Sequence, residues 1–138
     1  MEQAKLDKIL DEHKEWLRTD GEKGKKADLR YADLRYADLS YADLRDADLR
    51  CADLRYASLH DADLRYADLD FSAFPLWCGG LDVHIDDKQA TQLLYHLLSN
   101  VKYSKNTSKT MKKICKIKTL VNQANKFHRV NECGEIEL

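Results

Sequence analysis

The sequence predicts a mainly β solenoid with helical caps: a coil of about two and a half turns, four short sides to each turn, with an amphipathic helix before it and further helices after it. Three observations lead there. From residue 27 the chain reads ADLRYADLRYADLSYADLRDADLRCADLRY, with Leu at every fifth position, Ala two residues earlier and usually Asp between them. That period fits neither regular element. The stretches on either side carry apolar residues at helical spacing instead.

In an α-helix, steps of five residues advance about 500°, so successive leucines would lie about 140° apart and no apolar face could form. In a strand an odd spacing would put Leu29 and Leu34 on opposite faces. A backbone that turns by about 90° after each pentapeptide keeps every Leu on one axis, with the small Ala sharing the interior; four such sides make one coil of twenty residues.

Units of this kind start at Ala27, Ala32, Ala37, Ala42, Ala47, Ala52, Ala57, Ala62 and Ala67, with a degenerate tenth, Ser72-Ala73-Phe74-Pro75-Leu76. They resemble the pentapeptide repeat family, whose units carry a central Leu or Phe, a small residue two before it and polar residues elsewhere. The resemblance implies a right-handed quadrilateral β-helix with Leu and Ala inside and the other three positions outside. It implies no activity.

Positions twenty apart then stack. Tyr31, Cys51 and Phe71 share one outer column and Tyr36 lies under Tyr56. Asp28, Asp48 and Asp68 align, as do Asp33 with Asp53 and Arg30 with Arg50. At strand spacing the column is only about 12 Å tall. So short a column leaves apolar layers and unpaired edges at both ends, and it needs caps.

Both flanks supply them. Leu6, Ile9, Leu10, His13, Trp16 and Leu17 fall within about 120° of arc, an amphipathic helix ending near Gly21. Downstream, Asp86 or Asp87 is the expected N-cap of KQATQLLYHLLSN, in which Ala90, Leu93, Leu94, Leu97 and Leu98 share a face. A third helix is expected from about Lys105 to Lys126. Between these, Pro75 ends the repeats and Gly79-Gly80 permits a sharp turn. The expected divisions are a capping helix over 1–24, the repeat coil over 25–76 and a helical region over 77–138.

The 138 residues carry a net charge of −1, but the charge is segregated. Residues 27–76 hold eleven Asp against six Arg, while residues 88–131 hold ten basic groups and no acidic one. No signal-peptide core and no apolar run of membrane-spanning length is present, so a cytoplasmic protein is expected and a membrane is not. Cys51, Cys78, Cys115 and Cys133 are scattered without a C-x-x-C pair, which argues for reduced thiols rather than disulfides or a zinc knuckle. Neither a metal nor any other cofactor is expected.

Catalysis is not expected either. The repeated aspartates occupy equivalent solvated positions, whereas acid–base work needs two carboxyls with pKa values driven apart. Arg columns beside them compete with calcium. Cys78 and His84 form the only close Cys/His pair, and two ligands do not make a zinc site. His13, on the apolar stripe, reads as a packed or edge-capping histidine. No P-loop, nucleotide-binding or hydrolase motif is present.

Two surfaces remain. Tyr31, Tyr36, Tyr41, Tyr56 and Tyr66 interleave with Arg30, Arg35, Arg45, Arg55 and Arg65, residue types enriched at interfaces, although stacking between coils is the competing use of the same side chains. Lys105, Lys109, Lys112 and Lys116 fall within about 60° of arc on the expected third helix, either a solvated face or a stripe for phosphate or an acidic protein. The leading reading is a small bacterial or phage-type interaction module whose Tyr/Arg faces meet a protein partner or a second copy. Nucleic-acid or acidic-ligand binding by the basic helix comes next. Family members that mimic DNA against type II topoisomerases need a long anionic column, so modulation of gyrase is disfavoured here: about 12 Å matches only about seven duplex charges, partly neutralised by Arg.

Overall fold

In each pentapeptide one residue, usually Asp, pairs with the neighbouring coil and the two residues after Leu make a turn. The pairing partner is always a coil away: Asp28 bridges Asp48, Asp33 bridges Asp53, Asp38 bridges Ser58, Asp43 bridges Asp63 and Asp48 bridges Asp68, all parallel. The chain therefore returns to the same place every twenty residues. The structure is a computed structural model, and it describes residues 1–75, 80, 82–127, 130–133 and 136.

The coils are tied by backbone hydrogen bonds from the N–H groups of Leu29, Leu34, Leu39, Leu44, Leu49, Leu54 and Leu64 to the next coil, such as Leu29 to Asp48 O at 2.8 Å and Leu34 to Asp53 O at 2.9 Å. Inside, Leu29 to Leu64 are at most 1% exposed, and Ala47, Ala57 and Ala62 are fully buried. Burying one Leu contributes about 2 kcal/mol, and Ala is what lets four leucines per coil meet without overpacking. Pairing occurs as single-residue bridges among the described residues, with no continuous strand, so the expected mainly β content is corrected. The reason is the short side: after each paired residue the chain must turn within two more.

Helix α1 (Gln3–Arg18) covers the first coil. Leu6 is 1% exposed, and Ile9 and Leu10 pack against the same core. Two of its polar side chains take the place of a missing strand. The Gln3 amide donates to Asp38 O at 3.0 Å and accepts from Asp38 N–H at 3.1 Å. His13, fully buried, accepts from Ala27 N–H through Nδ1 at 3.1 Å and places Nε2 3.0 Å from Arg45 O. Because a backbone N–H can only donate, Nδ1 is unprotonated and Nε2 carries the hydrogen. The Met1 amino group caps Asp33 O. A β-edge that would template aggregation is thus satisfied by a helix. Gly24 lets the chain pass back beneath α1, since a Cβ there would lie 2.2 Å from Glu12 O.

At the other end the chain re-enters the column. His84 bridges Asp63, with Leu64 N–H donating to His84 O and His84 N–H to Ala62 O, both at 2.8 Å. Val83 and Ile85 pack against the core on either side of it. Val83-His84-Ile85 thus repeats the roles of Ala-Asp-Leu in a further side, stacked on that of Asp63, that the expected end at Pro75 left out. Leu76, Cys78 and Gly79 of the connector lie outside the described residues.

The chain divides into two compact units, Met1–Asp86 and Asp87–Leu138. In the second, helix α2 (Asp87–Tyr103) packs with α4 (Lys118–Ala124) around Tyr95, Leu98, Val101, Cys115, Val121, Ala124 and Phe127. Asn125 holds the tail in place by two hydrogen bonds with the Ile136 backbone. The expected leucine face of α2 is corrected: Ala90 and Leu97 are exposed, and burial follows Thr91, Tyr95, Leu98 and Val101. Tyr95 turns the helix because its ring stacks on Phe127 at 4.9 Å.

The expected third helix is also corrected. In place of Lys105 to Lys126 stand α3 (Lys109–Lys112), a 3-10 turn (Ile114–Lys116), α4 and, further on, α5 (Val130–Cys133). Ser108 caps a new start by accepting Met111 N–H, and Ile117 is extended at φ −80°, ψ 98°. Polar residues that compete with helix over 104–108, and lysines repelling at three- and four-residue spacing, explain the break.

Candidate interaction surface

Every fifth residue in the repeats has a left-handed backbone. Tyr31, Tyr36, Tyr41, Tyr56 and Tyr66 have φ between 57° and 65°, and Asp46, Cys51, Asp61 and Phe71 occupy the same position. Each is the third residue of a turn closed by a hydrogen bond such as Ala32 N–H to Leu29 O at 3.1 Å. That conformation belongs by preference to Gly or Asn and costs another residue about 1–2 kcal/mol. Large rings stand there nonetheless, and the five tyrosines are 59–78% exposed. Nothing in the column's interior needs them.

The rings sit in the expected columns. Tyr36 stacks on Tyr56 with centroids 5.0 Å apart and planes 5° from parallel. Tyr41 meets His60 edge-on at 5.7 Å. Tyr66 is held by its own N–H, which donates to Asp86 Oδ2 at 2.7 Å. Stacking accounts for one face of Tyr36 and Tyr56; their exposure of 75% and 59% leaves most of each ring to solvent.

The arginines behave differently. Arg30 forks onto Asp28, with Nε 2.8 Å from Oδ1 and Nη2 2.6 Å from Oδ2, and Asp28 Oδ1 also accepts the Arg30 N–H. The same clamp joins Arg35 to Asp33, Arg45 to Asp43, Arg50 to Asp48, Arg55 to Asp53 and Arg65 to Asp63. Arg30 also reaches Asp48 one coil on, at 3.6 Å. The side-chain hydrogen bonds from Arg30 pull the Asp28 carboxyl down to about 2, and those from Arg35 hold Asp33 lower still. These guanidiniums are committed to the column itself.

Eight copies of the pentapeptide repeat are matched in this chain, over residues 27–65 and 42–74. Residues 27–74 are pentapeptide repeats. No curated protein matches it. The family match ends at Phe74, and the pentapeptide repeats continue in structure, though not in period, at Val83–Ile85.

Outside the repeats, Lys105 lies in a bend, Lys109 and Lys112 on the single turn of α3 and Lys116 in the 3-10 turn. A continuous helical stripe of these four does not form. Among the described residues no three His, Cys, Asp or Glu side chains are placed to hold a metal, and no helix is long and apolar enough to cross a membrane. Cys51 and Cys115 are free; Cys78, His128 and the Cys133 side chain fall outside the described part. Sequence reasoning did not foresee Gln3 as an edge cap, since its amide resembles that of any exposed glutamine. The left-handed corners were hidden too, because Tyr is not a residue that signals positive φ.

Proposed function

We propose that this pentapeptide repeat protein is a non-catalytic interaction module of the cytoplasm. Its repeats form a right-handed quadrilateral β-helix, the usual form of the family, and its tyrosine corners contact a protein partner or a second copy of the chain. The observation that carries this reading is the exposure of bulky rings at strained corner positions, 78% at Tyr31, 75% at Tyr36 and 72% at Tyr41. Tyr offers large contact area at low entropic cost, and backbone outliers gather where function holds them. The arginines are removed from the contact set by their clamps and serve as struts.

The same clamps weigh against mimicry of duplex DNA. Six of the eleven repeat aspartates carry a bidentate Arg, so more than half of the acidic charge on the repeats is neutralised. Purified gyrase should supercoil DNA undisturbed across a titration of the protein, with or without a quinolone.

The contact reading is tested with Tyr36→Ser/Tyr56→Ser. Association with a partner captured from the host, or self-association in sedimentation, should fall at least tenfold while the melting temperature stays within a few degrees. Unchanged association in a folded double variant rejects the tyrosine surface.

A further inference from the structure

The second unit carries a surface of the opposite character. Between Lys88 and Asn131 the chain has no Asp or Glu, and six lysines fall within fourteen residues: Lys105 in a bend, Lys109 and Lys112 in α3, Lys113 just after it, Lys116 in the 3-10 turn and Lys118 at the start of α4. All but the half-buried Lys112 are exposed. None of the six has a carboxylate within ion-pairing distance among the described residues, whereas the repeat arginines are all paired. In the 3-10 turn and α4 the buried positions are Cys115, Val121 and Ala124, while Lys116 and Lys118 are exposed. Six like charges in so short a stretch repel one another, and the repulsion is relieved by a polyanion.

An exposed ring stands beside them. Tyr103 closes α2 just before this stretch and is 64% exposed, with Lys102 Nζ 5.3 Å from its centroid. A flat aromatic next to a run of exposed lysines matches what single-stranded nucleic acids require, phosphate neutralisation plus a platform on which a base can stack. Duplex DNA offers no unstacked base to such a ring, and an acidic polypeptide has no base at all. The region has short turns rather than a helix long enough to read a groove.

We propose that the surface formed by Lys105–Lys118 and Tyr103 binds single-stranded nucleic acid through its phosphates and bases, without sequence preference. This binding is independent of the tyrosine corners of the repeats.

The full-length chain is titrated with fluorescent single-stranded oligonucleotides of mixed sequence at several salt concentrations. Duplex DNA of equal length and poly-glutamate serve as competitors. Neutralising about six phosphates predicts a log–log salt slope of about −4. Lys109→Gln/Lys113→Gln/Lys116→Gln, all exposed positions, should reduce that slope by about 2. Tyr103→Ala should weaken binding about tenfold or more with the slope unchanged, and Tyr103→Phe should restore it. Lys8→Gln/Lys14→Gln on α1 should change nothing. Absent or salt-independent binding overturns the proposal. So does equal affinity for duplex, equal competition by poly-glutamate, or insensitivity to Tyr103→Ala; melting curves for each variant confirm that folding is retained.

Discussion

The two units spend charge in opposite ways. In Met1–Asp86 each repeat Arg is locked to the Asp two residues before it, and Arg30, Arg35, Arg45 and Arg50 also reach a carboxylate on the next coil, so the ions brace the backbone they grow from. In Asp87–Leu138 the lysines of 105–118 have no ion-pair partner among the described residues, and the helix expected to carry them is broken into short elements. Charge is structural where a short period puts opposite signs in register and is left exposed to solvent where it does not. The difference teaches that a count of charges says little until their partners are known.

The comparison can be broken most severely from inside the column. Leu49→Asp puts a carboxylate at a site that is fully buried, where no partner can reach it, and should abolish cooperative unfolding of the repeat unit. Leu49→Ala should cost about 2–5 kcal/mol in chemical denaturation. Asp48→Leu, on the outside of the same side, should leave the fold intact and lower solubility. Equal stability of the Leu49→Asp and Asp48→Leu chains would contradict the register.

The N-terminal edge comes next in size. His13→Ala strands a buried N–H and a buried carbonyl and opens a cavity, a loss of about 2–4 kcal/mol. His13→Gln should recover part of it, since an amide also offers one acceptor and one donor. The imidazole further predicts a pH dependence. Burial lowers its pKa below 6.5, outweighing the raising effects of the Arg45 carbonyl, Asp43 and Asp46, while Lys26 adds to the lowering. The folded state therefore resists a proton that the unfolded chain accepts. Stability from this site is complete above pH 6.5 and is lost as pH falls from there through the folded value. His13→Gln should flatten the denaturation midpoint across that window.

Much of this unit was legible in the sequence because a five-residue period admits so few backbones. The Leu interior, the columns twenty apart and the capping role of α1 all follow from spacing alone. Two features did not. Val83-His84-Ile85 restores the coil after an insertion that destroys the period, and its apolar-polar-apolar pattern is common to many loops. The arginine clamps could not be told from stacked columns, since both use the same residues at the same spacing. In the second unit legibility fell further: the leucines of α2 share one face, so the wheel centred on Leu93, Leu94 and Leu97, whereas the buried face is turned toward Thr91 and Tyr95 with Leu98 common to both. The lysine stretch looked helical by spacing while its Ser108 cap and Ile117 break were local choices. The tyrosine surface was legible as composition, but its left-handed backbone was not.

Smaller effects sharpen the contrast. Arg50→Lys removes the fork but keeps the charge at a solvent-screened pair, and should leave the denaturation midpoint almost unchanged. In acid, the Asp28 clamp should hold until pH falls from 3.8 toward about 2, since its folded pKa is depressed and its contribution is present only above the unfolded value. Tyr31→Gly should move stability least, because relief at a φ of 57° opposes the added freedom of the unfolded chain.

Amide hydrogen exchange, resolved by residue, tests the account most directly. Leu29, Leu34, Leu39, Leu44 and Leu49 donate across coils at 2.8–2.9 Å, whereas Arg30 and Arg35 donate only to exposed carboxylates. The account predicts protection that recurs every five residues, strong at each Leu and weak at the Arg that follows it, from Leu29 through the repeats. Protection that is continuous as in a helix, alternating as in a long strand, or absent from residues 27–74 would contradict it.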